Sequence, residues 1–193
     1  KTWSGLVAAA LLELQLEGCA AVDKKFITVT GPLPQEMAHL RPLYDYLNTG
    51  KPMQTEKLLE EYTYSVTDAH LNELMAAIGD SLVQQGLMTP VKAGLLGKKQ
   101  GYLPTREAIN AVVDLVRAEL LEEGEVTEDV AALVILLEQG KCLKPYFSAF
   151  EQKEMRDKLQ AISQTPAGKA VRDMVEYVEN LIAVMTLLVT VFT

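Results

Sequence analysis

The sequence predicts a mainly α protein: a single helical bundle around a buried C-terminal helix, with two small β-hairpins, one of them protruding. Three observations lead there. Residues 181–192 read LIAVMTLLVTVF, apolar on every helical face except at Thr186 and Thr190. A surface helix shows one apolar stripe, so a helix apolar all round is a buried one. Two further segments, 67–86 and 105–122, repeat apolar residues at the 3.6-residue spacing of helices lying on a core. Two stretches, 19–30 and 87–102, read instead as pairs of short strands about a polar or glycine-rich turn.

Composition sets the bounds. With 193 residues, 49% apolar and 23% charged, the chain is globular and fits one domain, 1–193. The net charge of −8 argues against nucleic acid as a partner. Cys19 and Cys142 are far apart and give no disulfide framework, which fits a reducing compartment and a cytoplasmic location. The apolar run at 181–192 is shorter than the roughly 18 residues a membrane span requires, and Glu176, Glu179 and Asn180 lie just before it. The chain opens on Lys1 rather than Met, so a native start is expected to precede it, and a missing targeting segment carries no weight.

Taken in order, Ser4 can cap a helix running GLVAAALLELQLE that Gly18 ends. Its leucines and alanines leave little room for a polar face, so it should be largely buried. Residues 19–22 and 26–30 form the first hairpin around Asp23-Lys24-Lys25, and 31–34 (GPLP) is a loop. Helical pieces follow at 42–47 and 55–64. Thr67 caps the next helix, whose stripe is Leu71, Leu74, Met75, Ile78, Leu82 and Val83, and Gly86 ends it. The second hairpin, 87–102, carries glycines at 94, 97 and 101. The helix at 105–122 is amphipathic through Ile109, Val112, Val113, Val116 and Leu120. Thr127 caps a helix ending near Gly140; shorter pieces occupy 144–149 and 151–162; Thr165 and Pro166 open the last helix.

Few residues suggest chemistry. His39 and His70 are the two histidines, and no G-x-S-x-G or H-E-x-x-H spacing occurs. Cys and His do not cluster as zinc ligands do. Glu60-Glu61 and Glu122-Glu123 sit at helix ends and face solvent. The GLLGKK sequence at 94–99 is too short for a phosphate loop, and Lys99 stands where a magnesium-binding hydroxyl would be needed. The sequence therefore implies no catalytic residue, no cofactor and no metal.

Charge placement is more informative. No acidic residue occurs between Asp80 and Glu107, while Lys92, Lys98, Lys99 and Arg106 all fall inside that interval. This basic island coincides with the second hairpin, whose turn region carries Leu95 and Leu96. Leucines flanked by lysines suit an interfacial anchor, with apolar groups in the acyl boundary and ammonium groups at anionic headgroups. The competing reading has the leucines folded onto the hairpin's own core and the lysines merely solvated. A second acid-free stretch, 139–150, holds Lys141 and Lys144 among Leu143, Tyr146, Phe147 and Phe150, aromatics expected in the core.

The ordered set GLVAAALLELQLEG with its hairpin, DSLVQQGLM, AGLLGKKQGYLP and VVDLVRAELLEEGEVTEDVAALVILLE resembles the Golgi phosphoprotein 3 family domain over nearly the whole chain. The resemblance implies a mostly helical domain with a protruding hairpin. It implies a non-enzymatic peripheral membrane protein that binds phosphatidylinositol 4-phosphate and the cytoplasmic tails of glycosyltransferases, the hairpin aiding oligomerisation and membrane contact. The family's headgroup pocket uses a tryptophan and three arginines. Aligned on ALLELQLEG and SLVQQGL, the arginine positions fall on Val7, Asn72 and Met75, and the tryptophan position falls before Lys1, near Trp3 but not on it. Hydrogen bonds to a charged group contribute about 1.5–3 kcal/mol each. Losing three is comparable to a micromolar affinity, about 8 kcal/mol. The departure suggests a prokaryotic relative. The expected function is thus a peripheral lipid-binding module lacking the headgroup arginines, its hairpin partner an anionic membrane lipid; the alternative is a cytoplasmic interaction module that self-associates through the same hairpin.

Overall fold

The computed structural model describes residues 2–23, 25–64, 67–93 and 99–191; the side chains of residues 2–4, 63, 64, 99 and 184–191 lie outside that description. The fold is mainly α, with eight α-helices and two small antiparallel sheets among the described residues. Helix α1 (Thr2–Leu16) buries Val7, Ala8, Ala10, Leu11, Leu12 and Leu14, so its expected enclosure is observed. It begins before Ser4, which therefore lies within the helix rather than capping it. Gly18, at φ +72°, closes it, as Cys19 N–H donates to Leu14 O and Gly18 N–H to Gln15 O.

Strands β1 (Ala20–Val22) and β2 (Phe26–Val29) form the expected hairpin, and β3 (Met53–Gln54) adds a third strand beside β2. A 3₁₀ helix at Gln35–Leu40 leads into α2 (Arg41–Leu47). Helix α3 (Thr55–Leu59) continues as a π-helical turn at Glu60–Tyr64. There the Tyr62 hydroxyl is buried without a hydrogen-bond partner, its ring stacked on His70 and edge-on to Tyr46. Helix α4 (Ala69–Gln84) has its N-cap at Asp68, which takes a left-handed φ of 49°, one residue after the expected Thr67.

Strands β4 (Met88–Ala93) and β5 (Lys99–Pro104) make the second hairpin. Helices α5 (Arg106–Leu120), α6 (Glu128–Gln139) and α7 (Ala149–Ser163) follow, and α8 (Lys169–Val191) completes the fold. Two expectations are corrected here. Residues 144–147 form a hydrogen-bonded turn, Tyr146 and Phe147 N–H both donating to Leu143 O, rather than the expected helix at 144–149, and Ala149 already belongs to α7. Helix α6 ends beside Gly140 as expected; Gly140 keeps φ −72°, and Lys141 takes the left-handed position at φ +58°. Helix α8 starts at Lys169, because the Thr165 hydroxyl accepts from Gly168 N–H and donates to Ile162 O, holding residues 165–168 in a turn.

Two hydrophobic clusters fill the interior. The first joins α1, the three-stranded sheet, α2, α3 and α4; the second joins α5, α6, α7 and the turn carrying Leu143 and Phe147. Helices α6 and α8 serve both. Val171 of α8 enters the second cluster while Met174, Val178 and Leu181 enter the first. Tyr177 ties α8 to α1 by donating to Gln15 Oε1 at 2.5 Å. Of the 181–192 run expected to be buried, Leu181 is buried, Ile182 is half-buried and Ala183 is exposed; the remaining side chains lie outside the described residues.

Candidate functional site

The second hairpin is fastened by one face and open on the other. Side chains alternate along a strand, and directly paired residues share a face. Tyr102, paired with Pro90, and Gln100, paired with Lys92, therefore belong to the face that meets α4. The Tyr102 ring lies over Gly79, so closely that a Cβ there would come within 2.4 Å of it. Its hydroxyl donates to Asp80 Oδ1 at 2.8 Å, while Gln100 Nε2 donates to both Asp80 Oδ1 and the Tyr102 oxygen. Burial, followed by the Asp80 contact, pushes the Tyr102 phenol above its ordinary pKa. A glycine inside α4 thus serves close packing rather than a bend.

The opposite face carries Val91, paired with Gly101, and Leu103, paired with Thr89. Gly101 leaves the space into which Val91 and Ala93 fit: a Cβ there would stand 3.1 Å from Ala93 Cβ and 3.3 Å from Val91 Cγ2. Leu103 is 56% exposed, and Lys92 is exposed near the far end of the stem. Of the expected contact residues, Leu95, Leu96 and Lys98 lie outside the described residues. Lys99 is described only in its backbone, as the first residue of β5.

The three headgroup-pocket positions do not share one environment. Asn72 and Met75 line a cavity of about 200 Å³ with Ala76, Gln100 and Tyr102, so the hairpin stem forms one of its walls. No cation lines it. Val7 is fully buried in the first cluster and is not among the lining residues. The residues that sequence reasoning missed are Gly79, Asp80, Gln100 and Tyr102. The one advance signal was Gly79, a helix-weakening residue inside an otherwise regular stripe.

The Golgi phosphoprotein 3 (GPP34) family model matches residues 2–178. The chain belongs to the Golgi phosphoprotein 3 family. No match is found among curated proteins. For this member of the family, no helix among the described residues is long and apolar enough to cross a membrane. Nor, among those residues, do three or more His, Cys, Asp or Glu side chains gather as a metal would require.

Proposed function

We propose that this Golgi phosphoprotein 3-family chain is a non-enzymatic, peripheral lipid-binding module that meets an anionic membrane surface through the 87–102 hairpin. The observation carrying this reading is the two-faced stem. Tyr102 and Gln100 hold one face on α4, which leaves Val91, Ala93 and Leu103 on the other, while Lys92, on the face of Gln100, is exposed near the far end of the stem, in a stretch without acid. Leu95, Leu96, Lys98 and Lys99 extend the same chemistry along the sequence. Each lysine near an anionic leaflet contributes about 1 kcal/mol, and two partly inserted leucines add roughly 3 kcal/mol. One hairpin therefore binds weakly, and several copies together bind usefully. The pocket beside Asn72 and Met75 offers neutral groups only, so phosphatidylinositol 4-phosphate should gain little over other lipids of equal charge.

Sedimentation with phosphatidylcholine vesicles, with and without phosphatidylserine, tests this. The protein should pellet only with the anionic vesicles, less so as salt is raised. Leu95→Ser with Leu96→Ser should abolish pelleting and leave the melting temperature unchanged. A salt-insensitive self-association lost in the same variant, with no pelleting at all, would instead make the hairpin a subunit contact within a cytoplasmic interaction module.

A further inference from the structure

The turn between α6 and α7 is a second surface of the same chemical kind, built on different elements. Leu143 and Phe147, four residues apart, are buried in the second cluster and fix the turn to the body. Arg117 of α5 holds it from beside: its guanidinium lies 5.1 Å from the Phe147 ring centre and donates to Tyr146 O and to Glu151. Residues 144–146, between those anchors, turn outward, and so does Phe150, just past them at the start of α7. Tyr146 is 44% exposed and Phe150 69%, the most exposed large apolar side chain among the described residues. The aromatics expected in the core are therefore divided, with only Phe147 inside.

The charges around them are unevenly neutralised. Glu138 is paired with Arg156 at 2.6 Å and Glu151 with Arg117 at 2.5 Å, so the two acids that bracket the turn in sequence are each engaged by an arginine. Lys141 and Lys144 are exposed and take part in no ion pair among the described residues. Glu154, one turn of α7 beyond Phe150, is the nearest acid along the chain in the same condition. Lys141 also occupies the left-handed position that glycine adopts freely, with a glycine immediately before it.

We infer that the 140–150 turn is a second membrane-contact surface, in which Tyr146 and Phe150 enter the headgroup boundary of an anionic bilayer while Lys141 and Lys144 meet its phosphates. The inference rests on the peripheral-membrane reading above but not on the hairpin. Exposed aromatics among unpaired lysines match such a boundary in both polarity and charge. They fit a second copy of this chain less well. Two aromatic side chains cover roughly 400 Å² at most, about half of what a stable protein interface takes from each partner, and the chain's net charge of −8 is carried elsewhere.

Cys142 supplies a reporter inside the patch without mutation, because it is exposed while Cys19 is buried. The full chain labelled at Cys142 with an environment-sensitive fluorophore should brighten and shift to the blue with phosphatidylserine-containing vesicles and not with phosphatidylcholine alone. Lys141→Gly is the most informative variant. It relieves the left-handed backbone, so the melting temperature should hold or rise, while anionic-vesicle partitioning should fall about fivefold with the lost charge. Tyr146→Ser with Phe150→Ser should abolish the fluorophore response. If the protein pellets and the hairpin variant does not, yet the Cys142 signal stays as in water, the inference is wrong and the hairpin reading stands. If the signal responds and the hairpin variant pellets normally, the hairpin reading fails and the turn is the contact. A response to protein concentration without vesicles would assign the patch to a second copy. Absence of pelleting in every lipid would overturn both readings.

Discussion

Between Pro34 and Asp68, four helical segments begin on N-cap residues whose own side chains make no cap hydrogen bond; between Thr105 and Ser148, three helices begin and each N-cap side chain makes one. In the first region the N-cap positions are Pro34, Leu40, Gln54 and Asp68, none of which accepts from the helix backbone. In the second, Thr105 accepts from Ala108 N–H, Thr127 from Val130 N–H, and Ser148 forms a reciprocal capping box with Glu151. The two regions also differ in burial. The first surrounds α1, enclosed on nearly all sides, whereas α5 exposes Val112 and Leu115 and α7 buries only Met155 and Leu159. Most helical stability in proteins comes from packing. For α5 and α7, which keep much of their surface in water, caps and ion pairs hold the ends. Helix α6 is capped although it packs in both clusters, and the N-cap side chain of α4 makes no cap bond although that helix buries only Leu71, Leu74 and Gly79. The contrast thus holds between regions and not helix by helix.

Substitutions can break that contrast, beginning with the largest expected effect. Leu11→Ala leaves a cavity at a fully buried position on α1 and should cost about 3 kcal/mol, since buried Leu→Ala changes generally cost about 2–5. Chemical denaturation measures it, and a loss under about 1 kcal/mol would mean that the first cluster is loosely packed. Thr127→Ala removes the cap on α6 and the hydroxyl's hydrogen bond to Glu119 Oε2, which still accepts from the backbone N–H of residue 127. Its cost should be about 1 kcal/mol. Thr127→Ser should recover most of it, and failure to do so would point to the lost methyl instead.

The smallest effect is a pH dependence. The Ser148 backbone N–H, then Arg117, holds the Glu151 carboxyl down at about 2, from an ordinary 4.5. Its folded pKa is depressed, so its stabilisation is complete above the ordinary value and lost as pH falls through 4.5 towards 2. The gap in urea midpoint between wild type and Glu151→Gln should therefore narrow across that interval. A constant gap would show that the capping box does not depend on the carboxylate's charge.

The same contrast explains what could be read from the sequence. Threonines 105 and 127 precede clear 3.6-residue spacings, so both ends of the capped region's signals agree, and these helices start where expected. Strand β3 has two residues and exists only because Met53 and Gln54 pair with Ile27 and Phe26; nothing local could announce it. At the end of α6 the local rule pointed to Gly140. There, however, a Cβ would stand 3.2 Å from Cys142 Sγ, so space claimed the glycine and the left-handed turn fell to Lys141. The candidate site was legible as composition: the acid-free interval and its lysines were visible at once. Facing was not. Alignment placed Val7, Asn72 and Met75 in one set, whereas folding sends Val7 into the core and the other two to the hairpin's edge.

The seat of Tyr102 over Gly79 makes the hairpin's attachment a matter of parity. Side chains swap faces with every residue, so inserting one residue between Leu103 and Thr105 would turn Leu103 towards α4 and Tyr102 to water. Insertions between Ala93 and Lys99 leave the count from the base of the arm unchanged. The segment that joins the two strands can therefore be lengthened, shortened or rewritten while the base of the arm stays in register, which makes it the natural place to graft a different binding sequence onto an unaltered body.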